Sequence, residues 1–247
     1  MILFGFRKRE AVVPRELAHE AEAVAVKSVA QSETGLVRAD NQDHLFVDDA
    51  RLVYCVADGV GGGAEGARAS EIVCANLKMV TYAAADTFKA RTSAVQKAIE
   101  DANAALFAYA REKGVPLVAS TVAALVLDPE NPRHAAICNV GDSRIYRFRR
   151  GMPELLTRDH RAGAGSHALT RAIGAAESVR VEWTELESTD ASRFLLCTDG
   201  VHDVVSAGRL AAFVSAAPTL DAAAARIAAD VVRHGAPDNY SFVLLGV

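Results

Sequence analysis

Cysteine is scarce in this chain, with 4 in 247 residues, and that scarcity is informative. Cys55, Cys74, Cys138 and Cys197 each sit inside an apolar run, and no two have the spacing of zinc ligands. A structural zinc site is therefore not expected, and buried reduced thiols in a cytoplasmic protein are. An excess of basic residues is also missing. Lys and Arg total 27 against 31 Asp and Glu, a formal charge of −4, which argues against nucleic acid as a partner because phosphate-backbone binding needs clustered cations. No uncharged apolar stretch approaches the roughly 18 residues of a membrane span. The start, with Ile2 to Phe6 ahead of Arg7, Lys8 and Arg9, reverses the order of a secretory signal. Long linkers and repeats are absent as well, so a single domain over residues 28–247 preceded by an extension over 1–27 is expected.

What is present is an ordered series of apolar blocks. Residues 44–48 and 51–57 read as two strands joined across Asp48–Asp49–Ala50. Residues 67–80 and 92–112 carry apolar side chains at helical spacing, and Gly114 ends the second. Strands are expected over 117–127, 135–140, 144–149, 179–183, 194–197 and 240–245, with a hairpin turn at Arg150–Gly151. Residues 207–215 and 220–233 read as helices, the latter with Thr219 as N-cap. This order lacks the strict strand–helix alternation of a parallel sheet. Antiparallel sheets packed as an α+β sandwich with helices on the outer faces fit it better.

The most informative feature is where aspartates fall. The apolar strand 52–57 ends in Asp58–Gly59, and the strand 194–198 ends in Asp199–Gly200. The run 135–140 ends in Gly141–Asp142, and Asp238–Asn239 stands just before the last strand. A lone Asp-Gly is usually a hairpin turn. Here each pair is followed by a loop or helix, not by a pairing strand. Carboxylates that converge at strand ends repel one another and need a cation or protons to stay together. Oxygen ligands without neighbouring Cys or His favour Mg²⁺ or Mn²⁺ over zinc. Gly61, Gly63 and Gly66 match the dinucleotide fingerprint G-x-G-x-x-G, and Asp86 follows about 20 residues later. Asp58 would repel a pyrophosphate there, and Asp86 falls in an Ala-rich helical stretch, so close backbone approach with the Gly59 carbonyl as an oxygen ligand is the better reading. Arg38 heads a polar cluster that ends at Asp43, and its planar guanidinium suits a phosphate clamp.

Taken together, Arg38–Asp43, Val56–Gly62, Ser120–Thr121, Asn139–Arg144, Leu155–His160, Leu169–Gly174, Cys197–Gly200 and Asp238–Asn239 occur in one order along the chain. This series resembles the PPM-type (type 2C) metal-dependent protein serine/threonine phosphatases in their compact bacterial form. The resemblance implies two antiparallel β-sheets packed as a sandwich flanked by helices (αββα), with a metal pair at one end. It implies that Asp58 bridges two Mn²⁺ or Mg²⁺ ions, that the Gly59 carbonyl binds one, and that Asp199 and Asp238 complete the other. Asp43 would act mostly through metal-bound water, Asp142 would join Asp199 at a third, weaker metal site, and Arg38 would hold the substrate phosphate. The implied reaction is hydrolysis of phosphoserine or phosphothreonine in proteins by a metal-bridging hydroxide, without a phosphoenzyme. The implied partners are phosphorylated substrates of a Ser/Thr kinase, met by a monomer. Alternatives are a pseudo-phosphatase that binds phosphoproteins and a phosphatase of small phosphorylated metabolites.

Three departures from the family pattern stand out. Val60 occupies a position where some members carry a histidine acid, which leaves His160 and His202 as weaker candidates for the proton donor. Gln42 stands where Glu is common. The flap between Arg158 and Leu169 is short, which suggests an open substrate channel.

Overall fold

A computed structural model describes residues 26–81, 87–131, 133–163, 166–187 and 192–247. Most of the expected N-terminal extension, and Asp86 of the dinucleotide-like pattern, lie outside the described residues. Strand β1 begins at Lys27, inside the stretch read as extension, and pairs with the last strand from Lys27↔Gly246 onward.

Among the described residues, eleven strands form two antiparallel sheets. One sheet runs in the order β1 (Lys27–Glu33), β11 (Tyr240–Gly246), β10 (Arg193–Cys197), β7 (Arg144–Arg149) and β8 (Met152–Leu155). The other runs β2 (Asp43–Asp48), β3 (Val53–Val60), β5 (Val122–Leu127), β6 (His134–Val140) and β9 (Glu182–Glu187), with the short β4 (Ala119–Ser120) paired to β3.

The central strands are apolar along their whole length because both of their faces are covered. In β3, Val53, Cys55 and Ala57 turn toward α1 (Gly63–Met79) and α2 (Phe88–Lys113), while Tyr54 and Val56 turn toward the other sheet. Strand β10 splits the same way. Phe194 and Leu196 enter the layer between the sheets, and Leu195 and Cys197 face α4 (Ala207–Ala216) and α5 (Leu220–Arg233). The period-2 alternation of strand side chains thus makes three apolar layers, and the four-layer αββα sandwich expected from the sequence follows. All four cysteines are free and buried. Among the described residues no helix is long and apolar enough to cross a membrane.

Several boundaries differ from expectation for physical reasons. Residues 117–127 do not form one strand, since Thr121 separates β4 from β5. The Thr121 amide donates to the Asp58 carbonyl at 2.8 Å. Val179 and Val181 lie before β9, which begins at Glu182 opposite Asn139. Their alternation reflects packing against the layer under α2, where the Asn103 amide donates to the carbonyls of Ala176 and Glu177 at 3.0 and 3.2 Å. Helix α2 starts at Phe88, ahead of residue 92, because the Thr87 side chain accepts from the Ala90 amide and caps it. Helix α1 starts inside the glycine loop, with Gly62 as N-cap.

Candidate active site

The acidic strand ends meet at one end of the sandwich. Asp43 opens β2 directly opposite Asp58 near the end of β3. Asp142 sits in the β6–β7 turn, Asp199 begins the single turn α3 (Asp199–His202), and Asp238 precedes β11. A pocket of about 250 Å³ at this end is lined by Arg38, Gln42, Asp58 to Gly62, His167, Asp199, Asp238 and Asn239.

Serine, threonine and asparagine side chains lock the backbone of this end. The Asp58 amide donates to Thr121 Oγ1 at 2.9 Å, and Ser120 Oγ donates to the Asp58 carbonyl at 3.0 Å. Thr121 Oγ1 also lies 2.7 Å from Ser143 Oγ, so the Ser-Thr pair ties β3 to the turn that carries Asp142. Thr198 Oγ1 donates to Asp43 Oδ2 at 2.8 Å, joining the two sheets. Asn239 accepts from the Gln42 amide at 2.9 Å and donates to the carbonyls of Thr34 and Asp40 at 2.8 and 2.9 Å. It thereby fixes the segment that presents Arg38. Glycine is required where backbones touch. A Cβ on Gly59 would lie 1.9 Å from the Gly66 carbonyl, and one on Gly200 would lie 1.9 Å from the Asn239 carbonyl.

Burial and mutual repulsion make this cluster electrostatically unstable without a cation. Asp43 is 4% exposed. Burial raises its pKa to about 7, with hydrogen bonds from Thr198 and Ser241 opposing the rise and Asp199 and Asp238 adding to it. Burial also holds Asp58 well above the usual carboxylate range, and the neighbouring Asp43, Asp199, Asp142 and Asp238 push it further. Asp199 is raised by burial and then by Asp142. All-oxygen donors under such repulsion fit a hard divalent cation. Asp58, Asp199, Asp238 and the Gly59 carbonyl border the pocket and could hold one or more such ions, with Asp43 behind Asp58.

Gln42, with its amide turned to satisfy both neighbours, donates to the Gly59 carbonyl at 3.3 Å and accepts from the Gly63 amide at 3.1 Å. It steadies the glycine loop. Arg38 stands at the rim, with Nη2 2.7 Å from Asp238 Oδ2.

Neither histidine considered as a proton donor reaches the pocket. The Gly141 amide donates to His160 Nδ1 at 3.0 Å, and His202 Nε2 donates to the Asp142 carbonyl at 3.0 Å. Both rings hold the Asp142 turn in place. The histidine that lines the pocket is His167, on the flap. Sequence reasoning missed it, and also missed Arg161 and Asp203. Arg161 Nε donates to Asp142 Oδ2 at 2.6 Å, and its Nη2 lies 3.3 Å from Asp199 Oδ2 and 3.1 Å from Asp203 Oδ2. The one available signal was an arginine heading a loop otherwise made of Gly, Ala, Ser and His.

An αββα sandwich with a carboxylate pocket at one end is the architecture of the PPM phosphatases. The chain belongs to the protein phosphatase 2C family, whose model matches residues 30–234. It is 29% identical over 245 residues to the serine/threonine protein phosphatase PstP of Mycobacterium tuberculosis, covering 91% of this chain and 45% of that protein. The chain thus spans about half the length of that relative. The serine/threonine phosphatase stp of Listeria innocua is 26% identical over 246 residues, with 87% of this chain and 93% of that protein covered. Among solved structures, PppA, described as a regulatory component of the type VI secretion system (T6SS) in Pseudomonas aeruginosa, superposes with TM-score 0.84 at 26% identity, over 90% of this chain and 98% of that one. The catalytic domain of PstP in complex with two manganese ions superposes with TM-score 0.77 at 27% identity, over 90% and 98% of the two chains.

Proposed function

We propose that residues 28–247 form a phosphatase domain that hydrolyses phosphoserine and phosphothreonine in proteins, using two Mn²⁺ or Mg²⁺ ions. The observation that carries this reading is the convergence of Asp58, Asp199 and Asp238 on a pocket with Arg38 at its rim, with Asp43 behind Asp58 and with burial raising Asp43, Asp58 and Asp199. Asp58 and the Gly59 carbonyl would hold one ion, and Asp58, Asp199 and Asp238 the other. Ions so placed supply an activated water and neutralise charge on the phosphoryl oxygens.

The chain's own residues do the rest. Arg38 offers a planar pair of donors to two phosphate oxygens, and its ion pair with Asp238 keeps it at the rim until substrate arrives. Asp43, anchored by Thr198, fixes the electrostatic field behind Asp58. Because Asp58 and the Gly59 loop are locked by Thr121, Ser120 and Gln42, the donors need little reorganisation when substrate binds.

The test is hydrolysis of a phosphothreonine peptide by chelator-stripped protein. Turnover should return on adding Mn²⁺ and vanish again with excess chelator. Metal-dependent turnover of a small phosphorylated metabolite but not of any phosphopeptide would favour the metabolite reading. Metal binding with no turnover of either would favour a phosphoprotein-binding role.

A further inference from the structure

We infer that the Arg161 guanidinium takes the place of a third metal ion, so that this chain holds two ions only and uses the arginine to pin its short flap to the rim of the active site. The inference rests on the two-ion reading above and concerns the acidic group beside it.

Three carboxylates from three places in the chain converge here: Asp142 on the β6–β7 turn, Asp199 at the start of α3, and Asp203 just after α3. Three aspartates so gathered would ordinarily invite a cation. His167 stands at their edge, close enough that one atom each from His167, Asp199 and Asp203 lie within 4.8 Å of one another. The cation already present is Arg161. Its Nε bonds Asp142 Oδ2 at 2.6 Å, its Nη2 reaches Asp199 Oδ2 at 3.3 Å and Asp203 Oδ2 at 3.1 Å, and its Nη1 lies 3.5 Å from Asp203 Oδ1. Only 12% of the Arg161 side chain and 5% of the Asp142 side chain are exposed. The three guanidinium nitrogens reach four carboxylate oxygens on three residues, a spread that a planar fork of donors allows. Asp142 Oδ2 and Asp199 Oδ2 are already taken by this group, so a divalent ion on their remaining oxygens would sit beside the guanidinium charge, and like charges that close repel each other.

The contact has a mechanical side. Arg161 and Leu169 form an antiparallel bridge that closes the flap into a small loop. The Ala162 amide reinforces that closure by donating to the Ala168 carbonyl at 2.9 Å. With Arg161 bonded to the acidic cluster, the base of that loop is tied to α3, and His167 is held on the pocket lining. Asp199 is thus shared between the metal pair and the arginine. Bound ions and flap position are coupled through one carboxylate.

Counting ions tests this without reference to activity. Chelator-stripped full-length protein is titrated with Mn²⁺, and free Mn²⁺ is followed by its solution EPR signal. The unaltered chain should saturate at two ions. Arg161→Ala should gain a third, weaker by tenfold or more than the first two, and adding Asp142→Asn to that variant should remove it. Arg161→Lys keeps the charge and should stay at two, which guards against a variant that simply loosens the flap. Circular dichroism confirms that each variant is folded. The inference is overturned if the unaltered chain binds a third ion that Asp142→Asn alone abolishes. It is equally overturned if folded Arg161→Ala still stops at two, or if Arg161→Lys binds three. Fewer than two ions in the unaltered chain would instead bring down the metal-centre reading itself.

Discussion

The two halves of the acidic end are built on opposite electrostatic plans. On the side of β2 and β3, Asp43 and Asp58 face each other across the sheet, and among the described residues neither has an Arg, Lys or His within ion-pair distance. On the side of β10 and β11, Asp238 is paired with Arg38, while Asp142, Asp199 and Asp203 share Arg161. The braced half is partly neutralised by the chain's own cations, with two arginines set against four carboxylates. The bare half is left with repulsion that only an external cation or bound protons can relieve. That difference marks Asp58 as the carboxylate most in need of an external cation, with Asp199 and Asp238 standing between it and the two arginines.

The strongest way to break this comparison is to neutralise the bare half directly. Asp58→Asn removes the carboxylate at the centre of the pocket. Turnover of p-nitrophenyl phosphate with saturating Mn²⁺ should fall to background while the circular dichroism spectrum is kept. Retained turnover would place the metal centre elsewhere. Next comes a cation of the braced half. Arg38→Ala should lower kcat/KM by about 10²-fold, in line with the loss of one group that stabilises charge developing in the transition state. Arg38→Lys should recover only part of this, because a single ammonium cannot engage two oxygens in one plane.

The smallest effect is one of pH on stability. Burial raises Asp43 to about 7, and Asp58 and Asp199 are raised as well. A carboxyl whose pKa is higher folded than unfolded binds more protons in the folded state. Its contribution is therefore most favourable below the unfolded value near 4 and is lost as pH rises through the folded value. Metal-free protein should lose Tm between about pH 5 and pH 7.5, by about 2–4 °C for each kcal/mol lost in a chain of this size. Mn²⁺ at 100 times its Kd should add about 2.7 kcal/mol by mass action, so the gain in Tm on adding metal should be larger at the higher pH. A metal-free Tm that rises over that range would contradict the repulsion assigned to the bare half.

Asp58 and Asp199 were legible in the sequence because each ends an apolar run and is followed by a glycine that does not lead into a pairing strand, and Asp142 and Asp238 because they too stand at the ends of apolar runs. The sandwich of antiparallel sheets was legible in the order of the elements, which lacks the strict strand–helix alternation of a parallel sheet, and the αββα layering followed from the family resemblance. What was not legible depends on contacts between distant parts of the chain. Asn239 was visible as half of a motif, but its bonds to Gln42, Asp40 and Thr34 span about 200 residues of sequence. Thr198 gave no sign that it would anchor Asp43. The strand placed over 179–183 was set too early, because Val179 and Val181 pack against the layer under α2 ahead of β9, and periodicity does not distinguish docking from pairing. Arg161 and His167 lie in a loop with no periodicity at all, and only the folded structure shows that the arginine meets three carboxylates.

Manganese anomalous diffraction from crystals of this chain tests the central claim most directly. Two manganese peaks should flank Asp58, within bonding reach of the Gly59 carbonyl, Asp199 and Asp238, with none among Asp142, Asp203 and Arg161. A map with no manganese at Asp58, from protein that binds the ion in solution, would contradict the account.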